Sequence, residues 1–532
     1  MSNVSVLFDV NASFGKPSSG GTDFPAIQDR LDTMDRLGIS RSLVWNLDSR
    51  QNSVLASNTV LIEGILKTPG AAGRIFPALA VSSLITYEHD GLALMEQQLN
   101  AMPCRALHFT AGMVRLTLMQ LEPVIQRIRS LRPFIILNRD EASVADILEF
   151  TALFPDIPLV LTEITWGSCN TVFDLMRRRQ NILMESSWLH TFNAVELVVK
   201  HFGAERLLFG TGYKSHNGAA MGALARANIT AEQRHLIASG NLDRLTGLNT
   251  VPVKAASCWT ANTLWPRFLE GKPLGVDVVD AHGHLGPSGG YMLEAQDERQ
   301  QIEAGVKVMD AIGIRTLMVS GMQALFGGPV EGNDLLETLL RPQADRISGY
   351  VVFNPFYADE LIPKFDAYFA GPVYKGFKTL CSYWKVPITD QRFIPMWTYA
   401  NQHHLPVLSH TWGADGYDSP AQFEDLVKEY PNVPFILGHA GGVDKGRLEA
   451  EELAQKYSNV YLEWCGSFCS TICWEKTLKI VDSRQVVFGT DAMAHDFNWE
   501  LGRLLSLDVP DQVLIAILGG NMRCILAMRK RI

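Results

Sequence analysis

Two histidines one residue apart, His282 and His284, close the run Val279-Asp280-Ala281-His282-Gly283-His284-Leu285-Gly286. Residues i and i+2 of a β-strand point to the same face, so both imidazoles would leave such a strand together and offer two nitrogen donors to a cation. Further along, His410, His439 and Asp491 each end or follow an apolar run, and Lys378 ends another. Histidine and carboxylate donors converging from several strand ends suit a divalent cation. A Lewis acid bound there could bring the pKa of a water from 15.7 down to about 7, making hydroxide available at neutral pH.

The elements that must position these residues follow from the alternation of apolar runs with helix-length segments. In the second half, strands are predicted at Asp277–Ala281, Arg315–Ser320, Gly349–Phe353, Tyr374–Lys378, Pro406–His410, Pro434–His439, Val460–Glu463 and Gln485–Thr490. Eight strands alternating with helices predict a parallel (β/α)8 barrel of the TIM type, whose chemistry lies at the C-terminal ends of the strands. His282, His284, Lys378, His410, His439 and Asp491 all fall there.

The first half repeats this frame. Met34-Asp35-Arg36-Leu37-Gly38-Ile39 answers Met309-Asp310-Ala311-Ile312-Gly313-Ile314, Leu208-Phe209-Gly210-Thr211-Gly212 answers Val487-Phe488-Gly489-Thr490-Asp491, and Gly240-Asn241 answers Gly520-Asn521. Steady separations across a whole half predict duplication of a domain. The 532 residues also suit two units of the roughly 250 residues typical of such a barrel. The predicted organisation is two tandem α/β barrels: residues 1–250, a linker and entry helix over 251–275 with its helical piece at Trp259–Leu269, and residues 276–532.

The two halves differ in chemistry. Where the second has its histidine pair, the first has Asn11 and Ser13. His108 falls near the Lys378 position, Asn138 stands for His410, Glu163 for His439 and Gly212 for Asp491. Asn and Ser are poor zinc ligands and glycine has no side-chain donor, so the first half reads as non-catalytic. Glu163, His108 and Glu185 could instead form a different polar pocket.

Composition narrows the class. With 47% hydrophobic residues and no uninterrupted apolar stretch of about 18 or more, a soluble globular chain without a membrane span is expected. A net charge of −9 argues against nucleic acid as a partner, because such binding relies on clustered cations. Eight scattered cysteines fit a reducing compartment, and a strand predicted at Val4–Val10 leaves no room for a signal peptide, so the cytoplasm is the expected location. Cys465, Cys469 and Cys473 are spaced to share a helix face but complete no zinc set, and are expected to pack.

The motifs Asp280-Ala281-His282-Gly283-His284, Lys375-Gly376-Phe377-Lys378, Leu408-Ser409-His410-Thr411-Trp412-Gly413, Leu437-Gly438-His439-Ala440-Gly441-Gly442 and Phe488-Gly489-Thr490-Asp491, in this order, resemble those of the amidohydrolase superfamily. Within it they are similar to the amidohydrolase-related branch of metal-dependent hydrolases and decarboxylases, over about Val276 to Leu526. The resemblance implies that His282, His284 and His410 are metal ligands, that Asp491 is a ligand or the base on the nucleophilic water, and that His439 is a second ligand or a polarising acid/base. It implies one divalent ion, zinc first with manganese or iron as alternatives, or two ions if Lys378 is carboxylated and bridges them. Otherwise Lys378 is a surface lysine or an anchor for a substrate carboxylate. Tyr383, Trp384, Trp412 and Trp464 follow strand ends and could clamp an apolar or aromatic substrate, and His495 could line the same pocket.

The expectation is therefore a metal-dependent hydrolase of a small-molecule amide, lactone or ester, acting in the second barrel, with a possible homo-oligomeric state. A nonoxidative decarboxylase of a small carboxylic acid and a non-catalytic metal-holding protein are the alternatives.

Overall fold

A computed structural model describes residues 6–17, 22–212, 216, 218–248, 258–287, 294–295, 297–466 and 469–530. Contacts divide the chain into two compact units, residues 1–260 and 261–532. The first part of the expected linker, residues 251–257, lies outside the described residues. The expected entry helix is shorter than its apolar pattern suggested, Leu264–Leu269. Its start is fixed by polar contacts: Asn262 Oδ1 accepts Trp265 N, and Asp511 accepts Thr263 N.

The first unit carries β1 (Phe8–Phe14), β2 (Arg41–Asn46), β3 (Ile75–Pro77), β4 (Leu79–Val81), β5 (Ala106–Phe109), β6 (Phe134–Asn138), β7 (Leu159–Thr162), β8 (Ile182–Glu185) and β9 (Leu207–Leu208). The second carries β10 (Val278–Leu285), β11 (Ile314–Gly321), β12 (Ile347–Val352), β13 (Tyr374–Thr379), β14 (Val407–His410), β15 (Phe435–Gly438), β16 (Val460–Trp464) and β17 (Val486–Phe488). β10 to β17 form one parallel eight-stranded sheet in sequence order. It nearly closes on itself, because Asp491 N donates to His282 O and Met493 N to His284 O just beyond β17. This is a TIM barrel.

Among the described residues the first unit does not form a single eight-stranded sheet, so the expected second (β/α)8 barrel is not confirmed. Its strands fall into a three-stranded sheet, β1-β2-β3, and a six-stranded one, β4-β5-β6-β7-β8-β9. The break comes at Ala78, between β3 and β4, next to Pro77, which has no N–H to give to a ladder. Ala78 N still donates to Val44 O, and Val10 N to Phe209 O. Its opening strand is Phe8–Phe14; residues 4–5 of the predicted Val4–Val10 strand lie outside the described residues.

Strand alternation builds the floor of the second barrel. Met318, Leu408 and Tyr461 are buried in one apolar cluster with Ile436 and Val487. They lie two residues before Ser320, His410 and Glu463, so each strand buries an apolar side chain and then presents a polar one on the same face.

A buried aspartate ties the first strand to the last in each unit. Asp280 accepts hydrogen bonds from His282 N (3.2 Å), Thr490 N (3.0 Å) and Thr490 Oγ1 (2.5 Å). In the first unit Asp9 does the same for Asn11 N (2.9 Å), Thr211 N (3.1 Å) and Thr211 Oγ1 (2.5 Å). Asn241 and Asn521 also match: each donates its side-chain amide to two carbonyls, those of Ala204 and Leu207 or of Ser483 and Val486.

In the first unit, Asn11 Nδ2 donates to Glu163 Oε1 (2.9 Å), and Glu163 N and Ser187 Oγ donate to Glu185 Oε1 at 3.0 and 2.6 Å. Glu185 is fully buried, and burial pushes its carboxyl up to about 7. In the unfolded chain it titrates near the ordinary value of 4.5, so between these limits the folded form holds a proton that unfolding releases. Its contribution to stability is complete below about pH 4.5 and is lost as pH rises through about 7. In Glu185→Gln, urea-unfolding midpoints of the full chain should fall less across this window than in the unmodified protein. Identical pH slopes would show that Glu185 is ionised throughout.

Candidate metal centre

His282 and His284 leave β10 together, and their ring centroids are 5.2 Å apart. His410 ends β14, and His439 follows β15 with a left-handed backbone, φ 63°. Asp491 lies three residues beyond β17, also left-handed at φ 60°. Asp491 Oδ1 is 2.8 Å from His284 Nε2 and 3.6 Å from His282 Nε2. The rings of His282 and His410 lie 5.0 and 4.9 Å from that of His439.

Behind these residues stands a set of partners that orient them. Glu463 Oε2 holds His282 Nδ1 at 2.9 Å, and Asp418 Oδ2 holds His410 Nδ1 at 2.8 Å. Both carboxylates are fully buried. Ser320 Oγ lies 3.0 Å from His284 Nδ1. A carboxylate accepts a hydrogen bond from the Nδ1–H group, so in His282 and His410 the lone pair remains on Nε2. The donor set therefore fits a divalent cation, with His282, His284 and Asp491 forming one compact group. The supporting carboxylates are hard to find from sequence. Asp418 lies eight residues after His410 in an irregular loop, and Glu463 reads as an ordinary polar position in β16.

The electrostatics agree. Burial works to raise the Asp491 carboxyl, but His495, His284 and His282 together hold it well below the ordinary carboxylate range. Burial, followed by Lys378, pushes the His282 imidazole well down. Burial, with His410 beside it, lowers His439 to about 3. His439 Nδ1 donates to Cys465 O at 3.0 Å, so its Nε2 carries the lone pair.

Lys378 is neither exposed nor remote. It is 1% exposed, and its Nζ lies 2.7 Å from His282 Nε2. It meets the same lone pair that a cation would take, and burial lowers its pKa to about 8. His495 is also buried, with Nδ1 3.5 Å from Asp491 Oδ2.

The expected aromatic wall divides. Trp412 stacks on His410 and meets His439 edge-on, with centroids 6.1 and 5.8 Å away. Tyr383, half exposed, meets His410 edge-on at 5.6 Å. Trp384 donates its indole N–H to Leu325 O and packs on the apolar cluster of Met322, Leu325 and Leu380. Trp464 is buried in a stack on Trp474, 4.7 Å between centroids, because successive residues of β16 face opposite ways and Glu463 takes the inner side.

Cys465 departs from its expected packing role. Its thiol lies 3.2 Å from His282 Nδ1, 3.5 Å from His439 Nδ1 and 3.3 Å from Glu463 Oε2. It does not share a helix with Cys473, which belongs to the helix Thr471–Thr477. Gly466 follows at φ 51°, where a Cβ would come 3.1 Å from His495 Cε1 and 3.3 Å from both Asp491 Oδ2 and His439 Nδ1. A glycine lets the backbone cross close over these side chains, and Glu500 Oε1 fixes it by accepting Gly466 N at 2.8 Å.

Among the described residues, no helix is long and apolar enough to cross a membrane. No curated protein matches the chain. Solved structures similar to it include a TIM-barrel protein from Bordetella bronchiseptica (16% identity, 48% of this chain and 99% of that chain, TM-score 0.39). Two others are 5-carboxyvanillate decarboxylase from Sphingomonas paucimobilis (11%, 48% and 99%, 0.37) and a dihydroxybenzoic acid decarboxylase from a Polaromonas species, solved with bound manganese (15%, 48% and 97%, 0.36). These identities and scores are too low to transfer an activity. The family model described as amidohydrolase matches residues 279–525. That segment is the eight-stranded barrel that carries His282, His284, His410, His439 and Asp491.

Proposed function

We propose that the second unit is a metal-dependent hydrolase of a small-molecule amide, lactone or ester, with His282, His284, His410 and Asp491 holding one divalent ion, zinc first. The observation that carries this reading is the Asp491 carboxylate, whose Oδ1 lies 2.8 Å from His284 Nε2 and 3.6 Å from His282 Nε2. The bound ion would supply Lewis acidity to water and to the substrate carbonyl. Asp491 takes the proton of the attacking water, and His495 beside Oδ2 keeps the carboxylate available for it. His439 is a second acceptor through Nε2. Trp412 and Tyr383 flank His410, where an apolar or aromatic part of the substrate would rest.

A second reading, a nonoxidative decarboxylase, is favoured by Lys378. A buried ammonium beside His282 would pair with a substrate carboxylate, the group such an enzyme must hold. Carboxylation of Lys378 would instead give a bridge for a second ion. For the first unit we propose a degenerate, non-catalytic relative of the same barrel. The matched Asp9 and Asp280 pins, the matched Asn241 and Asn521 amides and the left-handed backbone at both Glu163 and His439 support common descent, while Asn11, Ser13, Asn138 and Gly212 leave it without the ligands.

Elemental analysis of the purified full chain should find at least one divalent transition metal per chain, and almost none in a His282→Ala, His284→Ala double variant. Equal metal in both preparations would sink the ligand assignment. Asp491→Asn keeps the size and one oxygen donor but cannot accept a proton. It should retain most metal and lose hydrolysis by a factor of about 10² to 10⁴. Lactones, N-acyl compounds and aromatic carboxylic acids, screened in 18O-labelled water with carbon dioxide monitored, separate the readings. Label in the product supports hydrolysis, whereas carbon dioxide release without label gives the case to decarboxylation.

A further inference from the structure

The first ligand set uses the Nε2 side of His282, but its Nδ1 side is also built from metal-binding groups. His282, His439, Glu463 and Cys465 are all buried, and one donor atom from each lies within 4.8 Å of all the others. Cys465 Sγ stands 3.2 Å from His282 Nδ1, 3.5 Å from His439 Nδ1 and 3.3 Å from Glu463 Oε2. A tetrahedral zinc ion, with bonds of about 2.0 Å to nitrogen and about 2.3 Å to sulfur, places these donors roughly 3.5 Å apart. The three edges that meet at Cys465 Sγ need to open by only a few tenths of an ångström. The 2.9 Å contact between His282 Nδ1 and Glu463 Oε2 must open furthest. Glu463 Oε1, fully buried, has no hydrogen-bond partner among the described residues.

The first unit offers an internal comparison. There Glu185 occupies the corresponding place, two residues before Ser187, whose hydroxyl donates to it at 2.6 Å. If only a donor to the glutamate were needed, serine supplies a strong one. The unit that has histidines carries cysteine instead, a weak hydrogen-bond donor but a strong ligand for zinc and other soft cations.

We infer that His282, His439, Glu463 and Cys465 form a second, sulfur-containing site for a zinc-like divalent ion, on the opposite side of the His282 ring from the first. The inference rests on the reading that the first site holds a metal. Binding requires three proton movements. Cys465 loses its thiol proton to solvent, and His439 shifts its ring proton from Nδ1 to Nε2, giving up its bond to Cys465 O and, while this site is filled, its role as an acceptor through Nε2. His282 releases its remaining ring proton and bridges the two ions as an imidazolate.

Cobalt(II) chloride titrated into the chelator-stripped full chain tests this without a substrate. The expected result is two equivalents bound, with a near-ultraviolet thiolate-to-cobalt charge-transfer band. Cys465→Ser should bind one equivalent and show no band, and His284→Ala, which alters only the first set, should keep the band. A band that is absent in the unmodified protein, survives in Cys465→Ser, or disappears in His284→Ala overturns the inference. X-ray absorption of the cobalt-loaded unmodified chain decides the same point with no variant, by the presence or absence of a sulfur neighbour at about 2.3 Å. One equivalent bound without sulfur would remove this site and leave the proposed function standing, whereas no cobalt binding would remove both.

Discussion

Everything at the mouth of the second barrel depends on which nitrogen of each histidine is left with a lone pair. Glu463 fixes this for His282 at 2.9 Å and Asp418 for His410 at 2.8 Å, each from full burial. A neutral imidazole can donate from one nitrogen only, so a carboxylate at Nδ1 turns Nε2 into an acceptor. Buried carboxylates are expensive unless paired, and these two accept further hydrogen bonds, Asp418 from Ser382 and Glu463 from His439 N. Removing either would be expected to free the ring and change the tautomer, even with every ligand retained.

Lys378 adds a competition to this arrangement. Its Nζ lies 2.7 Å from His282 Nε2, so a lysine and a cation contend for one lone pair. Burial lowers the Lys378 pKa to about 8, which brings loss of its proton close to neutral pH. The same shift makes the amine more open to modification or to release from His282.

Much of this was legible in the sequence, for definable reasons. The strands of the second barrel were readable because parallel barrel strands are short apolar runs separated by helices, and the ligand candidates were readable because each ends such a run. Asp418 was not, because a residue in an irregular loop has no periodicity tying it to His410. Cys465 was misplaced because its spacing from Cys469 and Cys473 imitates a helix face, whereas the chain at Cys465 has only just left β16. Trp464 was misassigned to the pocket because strand alternation sends it outward when Glu463 points in. The break at Ala78 was hidden because one residue beside Pro77 interrupts a ladder without altering the apolar pattern around it.

The most direct test is a crystal structure of the protein grown with zinc, using anomalous scattering to place the ion. The account predicts an ion bonded to Nε2 of His282 and to Asp491, with Lys378 Nζ moved off His282 and Asp418 still on Nδ1 of His410. Zinc-replete crystals in which Lys378 remains on His282 Nε2, and no anomalous peak lies beside Asp491, would contradict it.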